Sequence, residues 1–280
     1  VTIRKNVIED LGGDAILVLG SIKPLIESNN VRRSCQRTGD PAIPVRPGYN
    51  PHSAAVWLHS CLEGIMQFNE VSGTGKQPGN NDGMAFDFDN SDQRCIYQYN
   101  YSHDNEGGFL NMCCDGNGNG NIARYNISQN DGARAFQISA VEHTAIYNNT
   151  IYTGPHLRVN LLEHLDWDGW ADLTRFHNNV VHAEGKVTLS LGRSTRNIFE
   201  GNAWYGAVEN RPEDPRAVLD PPRLRAPGQG GTITDTRTLG FLDAYTPMPG
   251  SPLIDRGLDL RRLLGIDVGA RDVRGRPIPL

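Results

Sequence analysis

The feature that most constrains the fold of this chain is an asparagine that recurs just ahead of a strand-forming segment. Its intervals are 24, 39, 31, 26, 23, 30 and 23 residues. The shortest of these intervals is 23 residues, and the others are longer. This is expected of a coil of fixed circumference in which extra residues form loops. We predict that these side-chain amides stack in one interior line, about 4.8 Å apart, and satisfy backbone groups of the turns. The residues are Asn6, Asn30, Asn69, Asn100, Asn126, Asn149, Asn179 and Asn202.

Each repeat also contains a second strand, usually behind a glycine-rich turn. Most of these segments alternate apolar and polar residues, which is typical of strands with one buried and one solvated face. Because no amphipathic helix is evident between them, the pattern predicts an all-β solenoid. The segments are 14–19, 55–59, 85–89, 109–112, 135–139 and 187–190. The residues expected to point inward in stacked rows are Phe86, Phe88, Leu110, Met112, Phe136, Ile138, Val187 and Leu189.

The run 97–109 (YQYNYSHDNEGGF) resembles the repeats of secreted bacterial right-handed parallel β-helix proteins, and segments 250–257 and 267–272 are similar to their closing segment. Their wider, pectin-lyase-like superfamily includes pectate lyases, polygalacturonases and related polysaccharide-degrading enzymes. The resemblance implies a right-handed parallel β-helix over residues 1–206. It also implies a secreted or periplasmic protein whose partner is a polysaccharide or oligosaccharide substrate. Because this architecture hosts several activities, the reaction has to be inferred from the site.

The two ends of the chain differ from the repeat. From residue 207 to residue 280 Pro and Arg become frequent, and we predict an irregular C-terminal extension that wraps or caps the helix. Val1 opens directly on a repeat, which would leave an unpaired strand edge. We expect an N-terminal segment or a partner chain to cover that edge. With neither Met nor signal peptide at its start, the chain is expected to be processed or truncated.

Composition excludes several classes of function. The formal net charge of −5 argues against a nucleic-acid binder, which would normally have a basic surface. No run of 18 apolar residues is present, so no membrane span is expected. The five cysteines do not match a zinc site and are expected to be buried thiols, with or without one disulfide. Redox chemistry at Cys113 and Cys114 is the alternative.

Polar residues between the inward positions of the second strands should form columns on the outer surface. Asp87 and Asp89 lie at i and i+2 on one strand, so their side chains begin about 6.5–7 Å apart. That separation suits the general acid and general base of an inverting glycosidase. Glu106 or Asp131 is expected to supply or tune a third acid on the next coils, and His103 to assist proton transfer from the flanking turn. Two other interpretations stay open, a merely solvated β face and ligation of Ca²⁺, the one cofactor that such acids suit.

Side chains near these acids are candidates for substrate binding. Trp57, His59, Asn111 and Gln137 belong to the same outward columns. The insertion between Asn149 and Asn179 adds Arg158, Trp167 and Trp170, whose flat indoles match pyranose rings. A hydrophobic lid is the competing interpretation of this insertion. The insertion between residues 35 and 52 is a candidate for the opposite wall.

Three functions are consistent with these residues. The leading one is a glycoside hydrolase with paired carboxylates on the outer face of the helix. The second is a polysaccharide lyase, which needs a base and a cation to neutralise a uronate carboxylate. Its candidates are few: Tyr101, His103, Arg134, Arg158 and Lys186. The third is a non-catalytic carbohydrate-binding solenoid, which needs stacking aromatics but no paired acids.

Overall fold

The computed structural model describes residues 1–36, 52–76, 82–233, 240–272 and 276–278. Three rows of short parallel strands run along the chain, and their succession confirms the predicted right-handed parallel β-helix. The first row forms a sheet of eight strands: β1 (Thr2–Arg4), β4 (Leu25–Glu27), β7 (Ile65–Gln67), β10 (Ile96–Gln98), β13 (Ile122–Arg124), β16 (Ala145–Tyr147), β19 (Arg175–His177) and β21 (Ile198–Glu200).

The second and third rows join into one sheet. The second row contains β2 (Val7–Glu9), β5 (Asn30–Arg32), β8 (Glu70–Ser72), β11 (Tyr101–His103), β14 (Ile127–Gln129) and β17 (Thr150–Thr153). The third row contains β3 (Ile16–Leu19), β6 (Ala54–His59), β9 (Met84–Asp89), β12 (Gly108–Met112), β15 (Arg134–Ser139) and β18 (Arg158–Leu165). The long strand β20 (Val180–Ser190) pairs with both rows, and β22 (Ala203–Glu209) pairs with β20.

An asparagine ladder connects the coils at the turn between the first and second rows. Each ladder amide accepts from the backbone N–H of the ladder residue one coil earlier, for example Asn100 N to Asn126 Oδ1 at 3.0 Å. The ladder confirms the prediction at seven positions and corrects it at one, because Asn29 and not Asn30 is the ladder residue. Asn30 is the first residue of β5, and its side chain turns to Glu70. Asp214 accepts from Asn202 and ends the ladder.

The core lies inside the coils, as the alternation of the third row predicts. All eight residues that were expected to point inward are buried, from Phe86 on β9 to Leu189 on β20. Aromatic rings continue from coil to coil, with the centroids of Phe109 and Phe136 5.3 Å apart and those of Phe136 and Phe176 6.1 Å apart. The solenoid therefore buries one continuous apolar column.

Beyond Glu209 the described residues lie along the outside of the helix. They include a 3₁₀ helix, Gly240–Tyr245, and the short helix α1, Leu260–Leu264. Polar contacts fasten this segment to the coils, such as Gly230 N to Gln129 Oε1 at 2.8 Å and Leu258 N to Asn178 Oδ1 at 2.8 Å. Among the described parts of the chain, no helix is long and apolar enough to cross a membrane.

Asp92 is a buried acid at another turn of the coil, and we expect it to make stability depend on pH. Its Oδ1 accepts from Cys61 N at 2.6 Å, whereas Oδ2 has no hydrogen-bond partner. Burial raises the pKa of Asp92 to about 8. The folded state therefore binds more protons than the unfolded state above about pH 4. Asp92 should lower the free energy of unfolding by up to about 1.4 kcal/mol per pH unit as the pH rises towards 8.

The variant Asp92→Asn keeps the acceptor for Cys61 and cannot ionise. We expect the difference in free energy of unfolding between this variant and the wild type to grow in favour of the variant from pH 5 to pH 8. Urea unfolding at several pH values measures the difference. Because other buried acids are common to both proteins, their contributions cancel, and parallel pH profiles would contradict the assignment.

Candidate active site

A cleft of about 630 Å³ lies over the outer face of the third row. The strands place polar and aromatic side chains there because outward positions of adjacent coils lie in register. Trp57 pairs with Asp87, and Asp87 pairs with Asn111 on the next coil. These three residues line the cleft together with Asp89. The structure thus brings together four of the residues that the sequence singled out.

Four carboxylates line the cleft; Asp168 is on the loop after β18, and the other three are on or next to β9. Asp87 and Asp89 come from β9, and Asp82 comes from the turn before it. Asp82 lies 2.8 Å from Nδ1 of His52, which is well placed to orient its carboxylate. Asp89 Oδ1 accepts from Asn90 N at 2.8 Å. Asp87 keeps Oδ1 enclosed without a hydrogen-bond partner. The three acids therefore differ in their surroundings although they share one cavity.

The two acids of β9 have raised pKa values. Burial raises the pKa of Asp87 well above its usual value, and the neighbouring charge of Asp89 raises it further. Burial also raises the pKa of Asp89, while the backbone N–H of Asn90 and the nearby His59 act in the opposite direction. Like charges on adjacent carboxylates disfavour ionisation of both. The pair is therefore suited to hold one proton between its two members.

The other substrate-binding candidates are divided between the cleft and its surroundings. Trp167 lines the cleft and is 36% exposed, which leaves an indole face for a ligand. His59 lies at the edge, with Nε2 3.4 Å from Asn90 Nδ2. Gln137 follows Asn111 in register but is buried and bonded to Arg134. Trp170 packs against Gly192, away from the lining residues.

Four further predicted residues also lie outside the cleft lining. Arg158 is exposed on β18, in register with Lys186. Glu106 accepts from Lys76 N at 2.9 Å and borders a different cavity of about 400 Å³. Asp131 belongs to a second interior ladder, where Oδ1 accepts from Asn105 and Oδ2 accepts from Ser128 at 2.6 Å. Its carboxylate therefore supports a turn of the coil.

His103, the fourth of these residues, is buried on β11 of the second row. Its Nε2 lies 3.1 Å from Glu70 Oε1, and its Nδ1 lies 2.8 Å from Asp104 Oδ2. Burial alone would lower the pKa of His103, but hydrogen bonds with these two carboxylates raise it to about 9. Glu70 also accepts from Ile233 N at 2.6 Å. The cluster therefore fastens the C-terminal segment to the helix.

Sequence reasoning did not assign several residues of the cleft. Asp82 and His52 approach each other from separate turns, and no spacing reveals that contact. Asp168 lies on the loop after β18, next to Trp167. Cys113 and Cys114 form a disulfide and line the cleft. A signal for this pair existed, because it directly follows β12 and so extends the column that contains Asp89. The insertion between residues 35 and 52 lies largely outside the described residues.

The acids do not form a ready cation site within the described ranges. One set of three potential ligand atoms lies within 4.8 Å of one another, on Asp89, Cys113 and Cys114. The disulfide makes both sulfurs unsuitable as thiolate ligands. The remaining ligand is one carboxylate, whereas Ca²⁺ takes six to eight oxygens.

The fold and the cleft together define a class, a parallel β-helix protein with an acidic, aromatic-lined cleft. Comparison with known proteins agrees with that class. The chain is 30% identical over 301 positions to a lacto-N-biosidase from Bifidobacterium longum subsp. longum, covering 99% of this chain and 18% of that enzyme. No family model matches the chain.

Solved structures give another enzyme of the same name. The GH136 lacto-N-biosidase from Eubacterium ramulus superposes with a TM-score of 0.53 at 28% identity, covering 65% of this chain and 28% of that one. Its selenomethionine derivative gives a TM-score of 0.54 at 29% identity. The chain is thus a parallel β-helix repeat protein with glycoside hydrolase homologues, and it spans less than a third of the length of each.

Proposed function

We propose that this chain carries the catalytic cleft of a glycoside hydrolase that cleaves oligosaccharides ending in a lacto-N-biose unit. The observation that supports it most is the joint presence of four carboxylates and Trp167 in one cavity of about 630 Å³. The similarity to the B. longum lacto-N-biosidase extends over 99% of the chain and so includes this cleft. The substrate class is taken from the name of these relatives.

In the proposed mechanism one of Asp87 and Asp89 is protonated and transfers its proton to the leaving oxygen. Their raised pKa values favour the protonated form, as a general acid requires. The ionised partner then activates a water molecule or attacks the anomeric carbon. Asp82, oriented by His52, is the third carboxylate within the same cavity. Asn111 would bind a sugar hydroxyl, and Trp57 and Trp167 would contact ring faces.

A lyase fits the cleft less well. Lyases need positive charge to neutralise a uronate carboxylate, and none of the described residues that line the cleft is Lys or Arg. Arg134 donates a hydrogen bond to Gln137, and Lys186 forms an ion pair with Glu209 at 2.8 Å. Neutral hexoses and N-acetylhexosamines, in contrast, are bound by carboxylates and amides through their hydroxyls.

We also propose that the protein acts in an oxidising compartment. A disulfide persists in secreted and periplasmic proteins and is rare in the cytosol. Cys113–Cys114 therefore supports the secreted or periplasmic location that the sequence resemblance implies.

A panel of oligosaccharides tests the proposed function. Glycans with a terminal lacto-N-biose unit, neutral glycans without it, and oligogalacturonates are incubated with the protein. We expect new reducing ends from the first group only, without absorbance of an unsaturated uronate. Such absorbance from oligogalacturonates would establish a lyase instead. Saturable binding with no product would establish a carbohydrate-binding solenoid.

The anomeric form of the first product identifies the pair of carboxylates in use. Carboxyls about 6.5–9.5 Å apart invert the anomeric centre, whereas carboxyls about 5–5.5 Å apart retain it. Because Asp87 and Asp89 lie at i and i+2 of one strand, we expect inversion. Nuclear magnetic resonance of the fresh product measures this. Retention would show that Asp82 replaces one member of the pair.

A further inference from the structure

Cys113 and Cys114 form a disulfide at the rim of the third row, where β12 ends. Both residues line the cleft together with Asp87 and Asp89. The three other cysteines of the chain, Cys35, Cys61 and Cys95, are buried elsewhere and form no disulfide. The disulfide is thus confined to the cleft.

This disulfide has little to contribute to global stability. A crosslink stabilises a fold mainly by closing a loop of the unfolded chain, and the effect grows with the length of that loop. Cys113 and Cys114 are adjacent in sequence, so the loop is the shortest one that exists. The location of the pair therefore calls for a role at the cleft itself.

The contacts of Cys113 connect the disulfide to the acids. Its Sγ lies 3.4 Å from Asp89 Oδ1 and 3.1 Å from Asn111 Nδ2. A disulfide sulfur carries no hydrogen, so it cannot donate to the Asp89 carboxylate as a thiol or hydroxyl would. It instead fills space beside that carboxylate with a weakly polar group that keeps water away. Burial is also the largest cause of the raised pKa of Asp89.

We propose that the Cys113–Cys114 disulfide is a binding and positioning element of the cleft. Its sulfurs pack against the apolar face of a substrate pyranose and exclude water from Asp89. The sugar that it fits is one with axial C–H groups on one ring face, as in galactose and N-acetylglucosamine. This role rests on the proposed glycosidase function.

The variant Cys113→Ser/Cys114→Ser tests the role, because hydroxyls of similar size would both hydrate Asp89 and donate to it. We expect KM to rise about five- to tenfold through the lost apolar contact. The basic limb of the pH profile of kcat/KM should move to lower pH, because a hydrated and hydrogen-bonded Asp89 loses its proton more readily. Circular dichroism and a thermal melt compare the fold of the two proteins.

Chemical reduction provides a matched control on the same atoms. A trialkylphosphine adds two electrons to the S–S bond, two protons from water complete the thiols, and the phosphine becomes its oxide. Treated wild-type protein should show a raised KM and a pH profile moved in the same direction. The same treatment should change nothing in the Ser/Ser variant, since its remaining cysteines form no disulfide that could be reduced.

Three outcomes are informative. If KM and the pH profile are unchanged in both the variant and the reduced protein, the proposal is overturned. The disulfide would then only constrain the local backbone. If wild-type protein cleaves no glycan, the proposed function fails, and calorimetric titration with lacto-N-biose decides the binding role separately. Weaker binding after reduction would support that role, and equal binding, or no binding in either state, would overturn it.

Discussion

Replacement of Asp89 by Asn is expected to lower kcat about 10³-fold on any glycan that the wild-type protein cleaves. The amide keeps the size of the side chain and the contact with Asn90, but it neither donates an acidic proton nor accepts one. General acid–base catalysis contributes about 10²–10⁴-fold to a rate, so the expected loss lies within that range. KM should change by much less, because the cleft keeps its shape. Steady-state kinetics at the pH optimum measures both constants.

Parallel variants show whether the loss is specific to the cleft. Asp87→Asn should behave like Asp89→Asn, because one of the two acids donates the proton and the other is the ionised partner in the proposed mechanism. Asp220→Asn makes the same chemical change at an exposed site of the C-terminal segment and should keep nearly full activity. If Asp87→Asn and Asp89→Asn each retain more than a tenth of the activity, the pair is structural. A loss at Asp82→Asn would then assign the chemistry to the acid beside His52.

The fold was predictable because one repeated interaction fixes it. A side-chain amide that accepts from the coil before it has to recur once per coil, and that recurrence is visible as Asn at intervals near 23 residues. The prediction missed Asn29 because two asparagines are adjacent there and only the register of β2 with β5 separates them. It missed β18 because a bulge between Asn160 and Leu162 interrupts the regular pairing of that strand.

The candidate site was only partly predictable, for reasons of geometry. Outward residues of one strand row, such as Trp57, Asp87 and Asn111, follow from alternation and register. Residues on turns do not, because a coil with three strands has three corners that face different directions. His103 and Asp131 belong to the coils that follow the acids, yet the next row and its interior ladder hold them elsewhere. The contact between His52 and Asp82 joins two turns 30 residues apart.

The variant Asn126→Ala is expected to cost about 2–6 kcal/mol of the free energy of unfolding. Asn126 is buried in the ladder, and its Oδ1 accepts from both the backbone and the side chain of Asn100, at 3.0 and 3.1 Å. Its Nδ2 donates to Tyr97 O at 3.0 Å and to Asn149 Oδ1 at 2.9 Å. Alanine removes all four bonds. Asn100 Nδ2 keeps Met66 O and Gln98 O, and Asn149 Oδ1 keeps Asn126 N, so the loss falls mainly on Asn100 N and Tyr97 O. Each such group costs about 1–3 kcal/mol when buried.

The cost should be large because the ladder is continuous. A gap at Asn126 separates the amides of Asn100 and Asn149, so the loss falls on both neighbouring coils, each of which bonds to the coil of Asn126 at this turn. Asn119→Ala is the matched control, because Asn119 is exposed and should cost less than about 0.5 kcal/mol. Urea unfolding monitored by circular dichroism compares the two variants with the wild type. Equally small losses of unfolding free energy in both variants would mean that the strands alone hold the coils together. The stacked amides would then contribute little to stability.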